Sequence, residues 1–265
     1  MEVNPDSPHS TNQELHNLES GPENSPLVVL IHGSLDRSSG MARIARLTQT
    51  HHRTLRYDRR GYGASWMLPG PYTVENHVND LVHLLRGREA VLVGHSYGGH
   101  MALGAAGQLG HQIIGVSTYE TPLSWMPWWS QNTAGAMSLT ASSADAAEKF
   151  MIRLVGKKIW ETLPEKTREE RRREGPALTG ELGALREGVP WNIEQITCPV
   201  ICGHGTLALE HHIRGAQWLA QNLPNATLSI IDGARHGAHT AQAQQFVDQL
   251  VMPHLVGSGT FTVTS

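Results

Sequence analysis

The pentapeptide Gly94-His95-Ser96-Tyr97-Gly98 follows the apolar run Ala90-Val91-Leu92-Val93 and precedes Gly99 to Leu109, a stretch rich in Ala, Met and Leu. The run reads as a strand and the stretch as a helix. A chain that turns so sharply from strand to helix lifts the serine hydroxyl onto the rim of a sheet. The flanking glycines remove side chains that would clash in so tight a turn. Five letters alone recur in unrelated loops, so the strand-turn-helix order is what makes Ser96 a candidate nucleophile. An alcohol is a weak nucleophile at neutral pH, and Ser96 therefore needs a base.

The chain holds 16 histidines, and position selects one of them. Leu228-Ser229-Ile230-Ile231 reads as the last strand, with Asp232-Gly233-Ala234-Arg235-His236 as the loop after it. In a parallel sheet that loop opens on the same edge as the serine turn, where ligands bind. His236 is thus the candidate base. His239 is the alternative, although its place at the start of the final helix suits the floor of a pocket better. Attack on a carbonyl builds an oxyanion, which needs backbone donors already in place. Tyr97 N–H follows the nucleophile directly. Ser34 N–H, in the turn His32-Gly33-Ser34-Leu35-Asp36, is the natural second donor. His95, beside the nucleophile, is assigned to substrate binding.

Positioning these groups requires a particular order of elements. Glu14 to Glu19 reads as an early strand, and Leu27 to Ile31 as a strand buried on both faces. Ser38 to Gln49 follows as a helix, Thr54 to Asp58 as a strand, and Val74 to Leu85 as a helix with Val78, Leu81, Val82 and Leu85 on one face. After the serine turn comes a strand at Ile113 to Tyr119. Alternation of this kind specifies a parallel sheet covered by helices on both sides. From Thr121 to Thr197 it breaks, leaving helical stretches such as Ala144 to Leu154 and Lys166 to Glu174. It resumes with strand Pro199 to Gly203, helix His211 to Asn222, strand Ala226 to Ile231 and helix Thr240 to Leu255. The expected organisation is therefore an α/β core at 13–120 and 198–255, a helical cap at 121–197, and flexible tails at 1–12 and 257–265.

Composition bounds the function. A chain of 265 residues with 39% hydrophobic and 17% charged residues fits a globular protein with a sizeable core. A net charge of -3 offers no electrostatic reason to expect a nucleic-acid or anionic-membrane partner. The longest aliphatic run, Leu27 to Ile31, is too short to span a bilayer, and the polar, acidic start shows no secretory signal. Cys198 and Cys202 are too few for a disulfide framework or a zinc site, which favours a cytoplasmic location and no metal. The charge-dense run Glu165 to Glu174 balances its signs and reads as a solvated helix face with i,i+4 pairs.

Taken together, His32-Gly33-Ser34, Tyr57 to Ser65, Gly94 to Gly99 and Gly233-Ala234-Arg235-His236 resemble the α/β-hydrolase-fold superfamily over residues 13 to 255. The resemblance implies a mostly parallel, doubly wound sheet, an acyl-transfer site at the strand ends, and a lid formed by the insertion after residue 120. Asp58 to Gly63 would shape the loop beside the pocket. In most relatives the triad acid follows the strand that here is Pro199 to Gly203, but this chain places Ala208 there. Glu120, which ends the preceding strand, is one replacement, since some lipases and haloalkane dehalogenases carry their acid at that point. Glu210 is the other, although capping of the next helix explains it equally well. Asp232 lies too near His236 in sequence to orient it.

The insertion opens with Trp125, Trp128 and Trp129, which would make an apolar wall over the site or anchor the lid to the core. The expected enzyme is a serine hydrolase that cleaves a small or medium apolar ester, thioester or lactone through an acyl-enzyme on Ser96. Glu120 would orient His236, no cofactor would be needed, and the protein would be a monomer or homodimer. Carbon–carbon bond hydrolysis, lyase or perhydrolase chemistry, and non-catalytic ligand binding stay open as alternatives on such a fold.

Overall fold

The computed structural model describes residues 14–138 and 142–255, so the two expected tails lie outside the described residues. Seven strands form one sheet: β1 (Asn17–Ser20), β2 (Leu27–Ile31), β3 (Arg53–Tyr57), β4 (Ala90–His95), β5 (Ile113–Tyr119), β6 (Val200–Gly205) and β7 (Ala226–Ile231). Their spatial order is β1-β3-β2-β4-β5-β6-β7. β1 runs antiparallel to β3, and every other neighbouring pair is parallel. β2 pairs with both β3 and β4, so the chain departs from it toward opposite edges. That is a topological switch point, and a crevice opens beyond the carboxyl ends of β2 and β4. The loops that leave those two ends carry Ser34 and Ser96.

Three helices fall in the first half: α1 (Ala42–Thr48), α2 (Val74–Leu85) and α3 (Gly98–Leu109). Between β5 and β6 lie α4 (Ala134–Ser138), α5 (Ser143–Val155), α6 (Lys157–Thr162), α7 (Glu165–Arg173) and α8 (Gly175–Ala184), with no strand among the described residues. The chain closes with α9 (Glu210–Asn222), α10 (Ala238–Ala241) and α11 (Ala243–Leu250).

Three elements differ most from expectation. The early strand sits at Asn17–Ser20, where it pairs with β3, rather than at Glu14 to Glu19. Residues 38–41 form successive three-residue turns, with Gly40 N–H on Arg37 O and Met41 N–H on Ser38 O, so α1 starts only at Ala42. The final helix starts earlier, breaks at Gln242 and ends at Leu250. A short 3-10 turn at Met252–His254 follows, where Pro253 lacks the N–H that a longer helix would need.

The period-two alternation of β2 builds two apolar layers. Val29 and Ile31 join Leu81, Met101 and Leu103 of α2 and α3 on one face. Val28 and Leu30 join Ile44 of α1 and Phe246 and Leu250 of α11 on the other. A third cluster sits in the insertion, where Met151, Trp160, Leu178 and Leu182 close over Leu35 and Tyr62 from the edge of the sheet.

The charged run follows its expectation only in part. α7 buries none of its residues and carries an Arg168–Glu165 pair at i,i+3 rather than i,i+4 spacing. Glu174, just beyond it, is buried and accepts from Arg37 Nη2 at 2.8 Å and from Gly63 N–H at 2.9 Å. One end of the run is thus an anchor between insertion and core. Cys198 and Cys202 are free and buried, and burial raises the Cys198 thiol to about 11. No helix among the described residues is long and apolar enough to cross a membrane.

The layered core has a direct consequence for stability. Leu30→Ala, at the centre of the sheet, should lower the unfolding free energy by about 2–5 kcal/mol in urea titrations. Ile230→Ala, on the half-exposed edge strand β7, should change it by no more than about 0.5 kcal/mol.

Candidate active site

Ser96 has φ 53°, in the left-handed region that side-chain-bearing residues rarely adopt. Its N–H donates to Tyr119 O at 2.8 Å, and its own carbonyl accepts from Gly99 N–H at 3.0 Å. The turn fits only because its neighbours lack side chains. A methyl on Gly94 would collide with the backbone of Gly98 and Gly99, and one on Gly98 with the carbonyls of Ile31 and His32. The elbow is thereby pressed against the end of β2. A methyl on Gly33 would lie 3.0 Å from Ser96 Cβ, so the loop after β2 is in direct reach of Ser96. The N–H groups of Ser34 and Tyr97 have no protein acceptor among the described residues. Tyr97 also precedes α3, whose amino end adds partial positive charge.

Glu120 ends β5 with φ 50° and is buried. Its backbone N–H donates to Gly203 O at 2.9 Å, and its Oε1 accepts from Gly205 N–H at 3.2 Å. Oε2 accepts from His236 Nδ1–H at 2.8 Å. That bond leaves the His236 Nε2 lone pair to take a proton. The loop carrying His236 is pinned at two further points. His95 Nε2–H donates to the His236 carbonyl at 2.8 Å, and the Tyr119 hydroxyl donates to the Arg235 carbonyl at 3.0 Å. Glu210 lies exposed in the first turn of α9. Around Ala208 the chain folds back tightly, with Leu207 N–H on Ala234 O at 3.0 Å.

A family model described as the alpha/beta hydrolase family matches residues 28–249. The chain belongs to the alpha/beta hydrolase family. Its fold is also that of several solved structures. An enol-lactonase from Burkholderia xenovorans is 24% identical, with a TM-score of 0.69 over 88% of this chain and 94% of that one. A bromoperoxidase from Bacillus anthracis is 19% identical, with a TM-score of 0.68 over 88% and 92%. A thermophilic esterase from Thermogutta terrifontis is 20% identical, with a TM-score of 0.67 over 88% and 90%. No curated protein matches the chain in sequence.

In this hydrolase the loop after β2 rests on a polar cluster that its residue types alone did not reveal. His32 Nδ1–H donates to Gly33 O at 2.8 Å, while its Nε2 accepts from Arg59 N–H at 2.9 Å. Burial, reinforced by the Arg59 charge, lowers the His32 pKa to about 4, so the ring is neutral. The Ser34 hydroxyl donates to Glu181 at 2.7 Å. Glu181 comes from α8, in the insertion, and is fully buried. It also pairs with the Arg59 guanidinium and accepts from the Tyr62 hydroxyl at 2.8 Å and His77 Nε2–H at 2.9 Å. A signal for it exists in the sequence: Leu178, Glu181, Leu182 and Leu185 share one helical stripe, so a carboxylate stands where an apolar residue is expected.

The tryptophans separate. Trp129 is buried against His211 at 4.7 Å and His212 at 5.5 Å, and His212 in turn stacks on His236 at 4.7 Å. Trp125 packs 5.6 Å from His100, whose ring lies 5.5 Å from Tyr97. Trp128 instead lies under the Arg214 guanidinium at 4.5 Å. His95 is buried between the loop that carries His236 and the loop after β2, with its ring 4.7 Å from that of His236. His239 is buried beside it at 3.9 Å.

Glu181 links pH to stability. Burial alone would raise its pKa, but the Arg59 charge and the bonds from His77 and Arg59 outweigh that and lower it to about 2. A depressed folded pKa means that this stabilisation is complete above the unfolded value near 4.5 and is lost as pH falls toward 2. Glu181→Ala should therefore destabilise the protein by about 3–5 kcal/mol at pH 7, because Arg59 is left buried and unpaired. The gap between wild type and variant should narrow as denaturation is followed from pH 5 down to pH 2.

Proposed function

We propose that the chain is a serine hydrolase acting on small or medium, uncharged, apolar esters, thioesters or lactones. The observation that carries this reading is the 2.8 Å bond from His236 Nδ1–H to the buried Glu120 carboxylate, on the edge that holds the strained Ser96 elbow. In the proposed cycle His236 Nε2 takes the Ser96 proton as Oγ attacks the carbonyl carbon. The Ser34 and Tyr97 N–H groups receive the oxyanion. Glu120 holds the imidazole in the productive tautomer and stabilises the imidazolium while it exists. His236 then gives its proton to the leaving oxygen or sulfur, and the acyl group stays on Ser96. A water deprotonated by His236 attacks the acyl-enzyme and releases the acid.

The charge state of the surroundings supports an uncharged substrate. Burial lowers His95 and His212 well below the usual imidazole range, helped by the neighbouring histidines, and it lowers His100 to about 4. All three rings are neutral at pH 7. Arg59, the nearest buried cation to the oxyanion loop, is occupied by Glu181. Arg59 thus offers a carboxylate substrate no free positive charge. Trp125 and Trp129 supply apolar surface on its two sides, and the helices between β5 and β6 act as its lid.

A fluorophosphonate probe should label Ser96 in the folded protein and fail to label Ser96→Ala, as read by peptide mass spectrometry. Glu120→Gln should lower kcat on p-nitrophenyl butyrate by ~10⁴-fold, in line with amidation of an orienting acid. Glu210→Gln should leave kcat within about twofold, since an exposed first-turn carboxylate acts on the helix alone. An unlabelled Ser96, a Glu210 variant more impaired than the Glu120 variant, or turnover confined to β-diketones would each overturn the proposal.

A further inference from the structure

Three side chains converge at the reactive edge from a loop, a strand end and a short helix. Asp36 comes from the loop after β2, His95 from the residue before the nucleophile, and His239 from the segment after His236. One ligand atom of each lies within 4.8 Å of the others. His239 Nε2 and Asp36 Oδ2 are 3.6 Å apart, too long for a hydrogen bond. Two ligands about 2.1 Å from one Zn²⁺ in tetrahedral array lie about 3.4 Å apart, so this spacing suits a shared cation.

His95 has the hydrogen-bonding pattern of a metal-ligating imidazole. Its Nε2–H donates to the His236 carbonyl at 2.8 Å, which fixes the tautomer and leaves a bare lone pair on Nδ1. Metal-bound histidines characteristically give their other N–H to such a carbonyl. His95 Nδ1 is buried with no hydrogen-bond partner, and it faces the Asp36 loop, since a methyl on Gly33 would lie 3.3 Å from it. Native interiors seldom leave a buried ring nitrogen such as His95 Nδ1 unpaired. The two rings lie 3.9 Å apart at 40°, so the donors can draw together by side-chain rotation, without movement of the strands.

We infer that Asp36, His95 and His239 form a binding site for one divalent transition-metal cation, Zn²⁺ by its ligand chemistry. Two neutral imidazoles and one carboxylate suit Zn²⁺ and its first-row neighbours, and do not suit Mg²⁺ or Ca²⁺. A cation here ties the oxyanion loop, the elbow and the base loop to one point without touching Ser96, His236 or Glu120. The second His and carboxylate cluster, Glu120 with His212 and His236, is already closed by the Glu120–His236 hydrogen bond. A cation there would have to displace the proton on which the proposed chemistry depends.

The test uses the full chain stripped with a chelator and titrated with Co²⁺ followed by visible absorption, with Zn²⁺ as competitor in calorimetry. Wild type should bind one equivalent with a spectrum of four-coordinate N and O ligation. Asp36→Asn and His239→Gln should each weaken binding by more than about tenfold, while His212→Gln leaves it unchanged. Added ZnCl₂ should raise the Tm of wild type and not that of the first two variants. Absence of one-equivalent binding in wild type, equal affinity in Asp36→Asn and His239→Gln, or loss on His212→Gln would each overturn the inference. Should the variants not fold, X-ray absorption on the Zn²⁺-loaded wild type decides the matter, because fewer than two imidazole ligands rules the site out.

Discussion

The reactive edge is organised around one buried carboxylate. Glu120 is screened from water, and a buried charge is tolerable only when it is paired and hydrogen-bonded. Its partners come from two other strands: Gly205 N–H at the end of β6 and His236 in the loop after β7. All three must therefore arrive at fixed heights. The register that pairs Tyr119 with Gly203 and Gly205 with Ile231 delivers them. A slip of one residue in β6 would remove the Gly205 donor and leave the charge under-satisfied. Gly205 has no side chain, so the Ala234 carbonyl and the Tyr119 hydroxyl can pack against it, and Glu120 reaches past β6 to His236.

A second buried carboxylate binds the insertion to the core in the same manner. Glu181 and Arg59 are both fully buried, and neither would be stable there alone. Because Ser34 and Tyr62 also donate to Glu181, the helices between β5 and β6 and the loop beside the nucleophile are parts of one hydrogen-bonded unit. Arg37 extends the contact outward to Glu170 and Glu174 of the insertion. Opening the insertion wholesale would break the Ser34–Glu181 bond and free the loop that carries one oxyanion donor.

Legibility in the sequence follows the range of the interaction. Val74–Leu85, Ile113–Tyr119 and Ala226–Ile231 match their expected bounds because local periodicity and turn residues determine them. Ser96 and His236 are legible because strand-end position follows from strand order. Glu120 is partly legible, since its place at a strand end is local while its reach to His236 across β6 is not. Glu181, His77 and Arg59 sit far apart in sequence, and only the folded insertion brings them together. The break at Gln242 has no strong local signal, because the apolar spacing around Phe246, Val247 and Leu250 continues past it. Trp125, Trp128 and Trp129 form a single block in sequence. A turn with Trp129 N–H on Met126 O sends them to different neighbours, which composition cannot reveal.

Backbone strain completes the design of the edge. Among the described residues four non-glycine residues have left-handed φ, and three of them, Leu35, Ser96 and Glu120, follow β2, β4 and β5 on the same side of the sheet. Each such residue costs roughly 1 kcal/mol or more, and the conformation persists only where its surroundings over-determine it. At Ser96 those surroundings are the Tyr119 carbonyl, the Gly99 N–H and the close-packed glycines. At Glu120 they are the Gly203 carbonyl on its N–H and the two bonds on its carboxylate. At Leu35 the side chain is buried in the cluster formed by α5, α6 and α8. The two strained polar residues are thus held by the sheet, and the strained apolar one by the insertion. The sheet sets the angle of Ser96 and Glu120, while the insertion sets the loop that carries Ser34.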